Sequence, residues 1–496
     1  DFMATYLWQQ ILASNGKFPS LIQEYKQARS DLRKLIKKCI SIYELSLASD
    51  KKNPKKMYAF VNSKLKSSST ITSIYHNNSV STDPIIIANT LNEQFQSVFV
   101  VEPANPTIPP FSARTSSSLS NTFFSTEIVL KILNKLDPDK STGTDGISPY
   151  VLRHATAFAP ILTLLFIESI NQGKIPLFWS EANVTALFKN KGDKLDPGNY
   201  RPISITSVPC KILEKLIRNS FTTYLKANNL ISPHQHGFVS NKACNTNLLE
   251  CNDLLTKLAS QNIPADMVFL DFAKAFDKVS HPLLIHKLEK YGISGKILKW
   301  TSAFLSNRRQ RVVMGPIESD WLQVLSGVPQ GSVLGPTLFI IFINDLPDHI
   351  QNHKFLYADD TKIICGYKPN QFETCKTNLQ DDINNSVNWT KTWKMELIIT
   401  KCKIMHIGKK NSKFTYTMNN YVTNETITLL ITTEERDLGI IISNDLMLTK
   451  QCSKAANTAY KIFGMLNKAF VSRTLVIWKT LYTTYIRPPS QLGTHT

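Results

Sequence analysis

Two adjacent carboxylates, Asp359 and Asp360, stand in the stretch Phe355-Leu356-Tyr357-Ala358-Asp359-Asp360-Thr361-Lys362-Ile363-Ile364-Cys365. Short apolar runs on either side of a tight polar centre predict a β-hairpin with the acids at its turn. A rigid hairpin tip bearing two carboxylates suits a hard divalent cation, because Mg²⁺ is typically held by one or two carboxylates together with substrate phosphates. A solvated Asp-Asp turn has the same pattern, and this stretch alone does not separate the two readings. A further acid closes the apolar run Met267-Val268-Phe269-Leu270-Asp271-Phe272. A carboxylate at the end of a buried strand is costly unless it is paired or bound to metal, so Asp271 is a second ligand candidate. Asp277, on the element that follows, is assigned a structural role.

The elements that must position these acids are legible from periodicity. Ala273–Val279 is expected to open a helix, with His281-Pro282 and an amphipathic run closing at Gly292 behind it. Ser326–Pro336 carries Gly327, Gly331 and Gly335 immediately before an apolar helix, Leu338–Leu346. Such glycines let a backbone approach a ligand closely, and Gln330 among them could donate and accept hydrogen bonds at a base or sugar; a plain helix-entry loop is the alternative. Upstream, Leu152–Asn171 reads as a buried helix and Ala182–Phe188 as an extended segment flanked by Lys189, Lys191 and Lys194. Arg201 precedes a long helix, Val208–Leu225. Basic side chains on a small sheet opening to a cleft would suit a triphosphate, and ordinary exposed lysines are the competing reading. Downstream, Phe372–Leu397 reads as a helix whose Trp389 and Trp393 form a core stripe, Lys401–Gly408 as a strand, and Thr415–Ile442 as strands and hairpins. From Leu448 the chain is helical and basic.

Composition narrows the class. The 496 residues hold 57 Lys+Arg against 38 Asp+Glu, a net charge of +19 spread along the chain, which favours a polyanionic partner: nucleic acid first, an anionic membrane surface second. An apolar content of 42% excludes wholesale disorder. The eight cysteines have no C-x-x-C spacing and are expected to be reduced, buried thiols of an intracellular protein. The apolar runs around Ala155–Ile167 and Thr337–Ile343 are too short to span a bilayer, so no membrane partner is expected. The N-terminal third begins with basic helices. Ile22–Leu47 could pack one face and turn Lys26, Arg29, Arg33, Lys34, Lys37 and Lys38 to phosphates; Pro84–Val101 is a second helical unit. The Pro-, Ser- and Thr-rich stretch 102–122 is expected to be a linker.

In this order the elements resemble the reverse transcriptases of non-LTR (LINE-type, jockey/CR1-like) retrotransposons, from about Ser125 to Pro488. Tyr357-Ala358-Asp359-Asp360 resembles the family's catalytic box, and Asp271–Asp277 its first metal-binding motif. Gly327–Pro336 resembles the template and nucleotide loop. Lys140–Ile147, Asn199–Ser204 and Gln235-His236-Gly237-Phe238 resemble fingers motifs. Trp393–Gly408 resembles the motif after the catalytic hairpin, and Arg436-Asp437-Leu438-Gly439 the primer-grip region. Ordered matches to all of these are far more specific than a match to one.

The resemblance implies an α+β right-hand polymerase fold of fingers, palm and thumb, with an antiparallel palm sheet and a helical N-terminal extension. The expected divisions are extension 1–101, linker 102–122, fingers with the start of the palm 123–260, palm 261–410, and primer grip with a thumb 411–496. It implies an RNA-directed DNA polymerase with two Mg²⁺ ions, or Mn²⁺ in their place, held by Asp271 and Asp359, with Asp360 completing the acidic cluster. Phe276, five residues after Asp271, matches the residue that screens the ribose 2′-OH. Lys189 and Arg201 match triphosphate contacts, the backbone N–H groups of Lys274 and Ala275 would face the phosphates, Gln330 and Gly331 would shape the nucleotide and template pocket, and Lys401 is a candidate for protonating pyrophosphate. The implied partners are an RNA template, a DNA primer or target and dNTPs, in the nucleus and cytoplasm, with an endonuclease elsewhere in the same polypeptide.

Three departures stand out. Ile398 occupies a usual Asn position and Thr144 a usual Pro position, and the chain stops shortly after Tyr485-Ile486-Arg487-Pro488, where the family continues. Together with the start at Asp1 rather than Met, this predicts a fragment with a truncated thumb. The alternative function is a catalytically inactive nucleic-acid-binding fragment. A two-metal nuclease is a third reading, opposed by the 2′-OH gate and the nucleotide loop.

Overall fold

In a computed structural model, residues 2–15, 17–50, 54–65, 71–103, 105–367, 371–421 and 423–490 are described. The end of the chain at Gln491-Leu492-Gly493, on which the expectation of truncation rests, lies outside them. The chain divides into two compact units, residues 70–434 and a smaller one built from residues 1–69 and 435–496.

The larger unit mixes helix and sheet. Its strands are β1 (Ile74–His76), β2 (Ser79–Ser81), β3 (Glu181–Phe188), β4 (Tyr200–Ile205), β5 (Ala265–Leu270), β6 (Arg308–Met314), β7 (Ile317–Glu318), β8 (Leu322–Val324), β9 (His353–Tyr357), β10 (Asp360–Gly366), β11 (Lys403–Ile407), β12 (Thr417–Asn420), β13 (Glu425–Thr428) and β14 (Leu430–Ile431). The predicted acid-bearing hairpin is β9–β10. β5, an apolar run buried along almost its whole length, lies at the centre of a five-stranded sheet ordered β14-β11-β5-β10-β9, antiparallel except where β11 meets β14. Thr361 pairs with Leu270, so this register sets the turn bearing Asp359 beside Asp271, one residue past the end of β5.

A second five-stranded sheet, β4-β3-β6-β7 with β8 also on β6, carries the basic residues. Helix Pro84–Gln96 packs on it through Ile87, Leu91 and Phe95 against Val184, Tyr200 and Val312. The stretch 102–122 does not separate two compact units. Its residues 105–122 run along the larger one: Arg114 and Leu119 donate backbone hydrogen bonds to Lys290 and Gly292, and Phe111 packs against Tyr291 and Trp393.

Several expected elements differ. Leu152–Asn171 is not one helix. Helix Pro149–His154 ends at Ala155, and after one 3₁₀ turn a second helix, Ala159–Gln172, starts with Pro160 in its first turn, where a missing N–H is tolerated. Ala273–Val279 is not helical but a tight turn, because Lys274 takes φ +49°; the helix begins later, at His281, capped by the Ser280 hydroxyl. The Trp389/Trp393 stripe is core, 2% and 3% exposed. Of the cysteines, Cys39 and Cys452 are exposed; Cys210, Cys251, Cys365 and Cys402 are buried.

The smaller unit holds helices Phe2–Ala13, Pro19–Ser49, Pro54–Leu65, Thr449–Ala469 and Leu475–Leu481. The helix predicted at Ile22–Leu47 buries only its end, and Leu35, Ile36 and Ile42 are exposed. The Arg436–Gly439 stretch turns a two-stranded ribbon, with Leu438 and Gly439 at φ +44° and +95°. No described helix is long and apolar enough to cross a membrane.

Candidate active site

Asp359 occupies the β9–β10 turn behind Ala358, which has φ +55°. Burial pushes its carboxyl above the ordinary range, and the charge of Asp271 adds to this while Arg201 opposes it. Asp271 follows β5. Its N–H points at the Cys402 sulfur (3.5 Å), its C=O accepts from Ile398 N–H (2.8 Å), and its Oδ2 lies 3.4 Å from Lys401 Nζ. Ile398, at the position where Asn was expected, thus braces the main chain of Asp271 through its own backbone N–H.

Asp360 does not join these two acids. It is exposed, opens β10 and pairs across the ladder with Tyr357. Its charge is instead felt by the Tyr357 hydroxyl, which is pushed up to about 12, first by a hydrogen bond with Cys244 and by burial. Among the described residues, no three His, Cys, Asp or Glu side chains are gathered as a metal-ligating group. The set on offer is two hard carboxylates whose mutual repulsion a divalent cation would relieve. That fits Mg²⁺, which keeps waters and takes substrate phosphate oxygens for its remaining positions.

Cations crowd the same place. Lys189 follows β3, donates to Gly198 O (2.7 Å), and has its ammonium pushed down to about 8, first by burial and then by Lys274, Arg201 and Lys401 around it. Arg201 reaches the cluster from β4, opposite Leu187. Lys274 contributes from the turn after β5. In that turn the N–H groups of Lys274, Ala275 and Phe276 have no hydrogen-bond partner among the described residues. Four basic side chains and three unpaired N–H groups beside two acids are the groups that a polyphosphate accompanied by a divalent cation would need.

Phe276 stacks on Phe339 (centroids 4.3 Å apart, 16° between planes) and meets Phe238 edge-on at 6.3 Å. Its C=O accepts from Val328 N–H (2.8 Å), which ties the ring to the glycine loop. That loop is braced on the turn and on β4. Gln330 does not point its amide at open space: Nε2 donates to both Asp277 oxygens at 3.0 Å, and its C=O accepts from Ser204 N–H (2.8 Å). Gly331 has φ +122°, and a Cβ there would stand 2.3 Å from Ser204 O, so the close approach expected of this glycine is to backbone. Asp277 is structural as expected, and burial pushes its carboxyl up to about 6 against the pull of Lys274 and Gln330.

Sequence reasoning passed over Glu214. Its Oε2 accepts from Val333 and Leu334 N–H (2.7 and 2.9 Å) and holds the far end of the glycine loop, near the buried Arg308. The signal was available, since Glu214 lies on the apolar stripe of its helix with Cys210, Leu213 and Ile217, all buried. Gln235 was quoted only as part of a motif, although its side chain is 1% exposed and bonded to Ala358.

Residues 189–433 match the family model for reverse transcriptase (RNA-dependent DNA polymerase). The chain is 28% identical over 285 residues to an RNA-directed DNA polymerase from mobile element jockey of Drosophila melanogaster, covering 56% of this chain and 31% of the relative. It is 26% identical over 328 residues to the jockey polymerase of Drosophila funebris, covering 64% and 36%. It is also 28% identical over 282 residues to a probable RNA-directed DNA polymerase from transposon BS of Drosophila melanogaster, covering 54% and 30%. The chain thus spans about a third of the length of these curated relatives.

Proposed function

We propose that this chain, of which residues 189–433 match the reverse transcriptase family model and which is similar to polymerases of non-LTR elements, extends a DNA 3′-OH with dNTPs on an RNA template. The observation that carries this reading is the meeting of Asp271 and Asp359 with Lys189, Arg201, Lys274 and the unpaired N–H groups of the turn after β5. Asp271 and Asp359 would hold two Mg²⁺ ions, which when bound supply the charge that activates the primer 3′-OH and steadies the leaving pyrophosphate. Lys189 and Arg201 neutralise the triphosphate, and the N–H groups of Lys274 and Ala275 orient its oxygens. Phe276, fixed by Phe339 and Val328, stands as the wall against a ribose 2′-OH. Lys401, tied to Asp271, is placed to give a proton to the departing pyrophosphate. Gln330 and Gly331 act by shape, keeping the loop against β4. The two sheets correspond to palm and fingers, and the basic helices after Leu448 to a thumb on the duplex backbone, a salt-sensitive contact. The RNA, the DNA primer and an endonuclease elsewhere on the same polypeptide are the partners, in the nucleus and cytoplasm.

The test is primer extension on an RNA template with an annealed DNA primer, dNTPs and Mg²⁺. Wild type should extend, and Asp359→Asn should lose roughly 10³-fold or more. Equal extension by both overturns the assignment. Because the chain spans about a third of its relatives, a binding-only fragment is the second reading; silence from both proteins with RNA still shifted on a gel would establish it.

A further inference from the structure

The segment behind the acidic turn carries no role in the chemistry above, yet it is bonded to it at every step. His236 N–H donates to Leu356 O (2.9 Å), Leu356 N–H donates to His234 O (3.1 Å), and Gln235 forms an isolated parallel bridge with Leu356. Between them the Gln235 side chain enters the interior, 1% exposed. Its amide oxygen accepts from Ala358 N–H (2.9 Å) and Gly237 N–H (2.7 Å), and its amide nitrogen reaches Ala358 O (3.4 Å). One side chain therefore addresses both backbone polar groups of Ala358. That residue, itself 4% exposed, holds the left-handed φ of +55° and immediately precedes Asp359. The fit has no slack, since a Cβ on Gly237 would stand 2.4 Å from Ala358 N.

We infer that Gln235 is a positioning residue of this site: its amide fixes Ala358 in the left-handed conformation and thereby aims the Asp359 carboxylate at the divalent cation it would share with Asp271. Gln235 touches neither substrate nor metal; it acts through the backbone of the turn. The left-handed region is sparsely populated by residues other than glycine and persists only where surroundings over-determine it. A side-chain oxygen at this length suits the task, because it accepts from the buried N–H groups of Ala358 and Gly237 at once. The inference rests on the reading of Asp359 as a metal ligand.

The experiment follows Mn²⁺ binding to the full chain by electron paramagnetic resonance, independently of turnover, with thermal melts run alongside. Asp359→Asn should abolish the tight Mn²⁺ site. Gln235→Met, which removes the acceptor at constant length, should weaken Mn²⁺ by about 10-fold or more and raise the half-saturating Mg²⁺ in primer extension in step, with primer–template affinity unchanged. Gln235→Glu keeps an oxygen on the two N–H groups and should stay within about 3-fold of wild type. A folded Gln235→Met with wild-type Mn²⁺ affinity overturns the inference, as does a Gln235→Glu weakened as much as Gln235→Met. If Gln235→Met does not fold, Gln235→Asn, one methylene short of Ala358, replaces it against Gln235→Glu under the same criteria. A wild type that binds Mn²⁺ through Asp359 and loses it in Gln235→Met, but extends no primer, sinks the polymerase reading and upholds this one. Normal extension with unaltered Mn²⁺ binding in the variant does the reverse.

Discussion

Lys189 is held among like charges, and that arrangement has a pH signature. Its ammonium titrates at about 8, below the usual lysine value of 10.5. Below pH 8 it is charged in both folded and unfolded chains, and between about 8 and 10.5 it is neutral only when folded. Charging it is disfavoured by the fold, so its contribution to stability rises with pH across that window, whereas the attraction it would exert on a triphosphate is lost across the same window. The KM for dNTP is therefore expected to climb as pH rises past 8 while the protein does not destabilise in parallel, and Lys189→Gln should flatten the climb; steady-state kinetics at pH 7 to 9.5 measure it. Phe276 gives a second expectation. With its ring pinned between Phe339 and Phe238, Phe276→Val opens the wall without moving the acids. Incorporation of rNTP relative to dNTP should rise roughly 10-fold or more in single-nucleotide extension, the scale expected when a few methylene-sized contacts stop excluding a group. At this scale the placement of the acids was readable: one closing an apolar strand, one at a hairpin tip. Gln330 was not, because whether an amide faces ligand or Asp277 is decided by what folds against it.

At the scale of elements, helix His281–Lys290 is anchored by Lys287, which is fully buried. Its ammonium pairs with Asp345, donates to Phe342 O (2.5 Å) and stands 3.5 Å from the centroid of the Trp393 ring, while Trp389 Nε1 donates to the other Asp345 oxygen at 2.9 Å. The helices that back the site sheet are thus joined by an ion pair inside a ring of aromatics. Lys287→Met leaves Asp345 buried without its cation and should cost about 3–5 kcal/mol in chemical denaturation. Adding Asp345→Asn should recover part of that loss, since the uncompensated charge is what makes the single change expensive. The turn over Ala273–Val279 teaches a related point. Its residues suit a helix, but Asp271 must end β5, Phe276 must meet the glycine loop and Lys274 takes φ +49°; long-range bonds override local propensity.

At the scale of the molecule, the smaller unit draws on both ends of the chain. Glu44, 1% exposed, accepts the N–H groups of Val471 and Ser472 at 2.8 Å each, and Ala48, Met57 and Val61 share a core with Leu466, Phe470, Ile477 and Leu481. Removing residues 1–69 should therefore leave 435–496 without its core. Limited proteolysis is expected to cut this segment at least about 10-fold faster in the truncated protein, while 70–434, with its own separate core, keeps its protection.

What the sequence determined by itself is local: the hairpin that presents Asp359, the strand that ends on Asp271, the glycines of the loop and the basic balance all follow from residue type and spacing over a few positions. Ordered together, they also carried the resemblance to the reverse transcriptases, whose family model matches residues 189–433. What only the tertiary structure decided is which of these groups meet. The pairing of Thr361 with Leu270 brings together two acids 88 positions apart; Gln235, 123 positions before Ala358, bonds to the turn; the two ends of the chain close one core. Strand register, buried polar pairing and long-range packing depend on partners distant in sequence, and no local pattern names the partner.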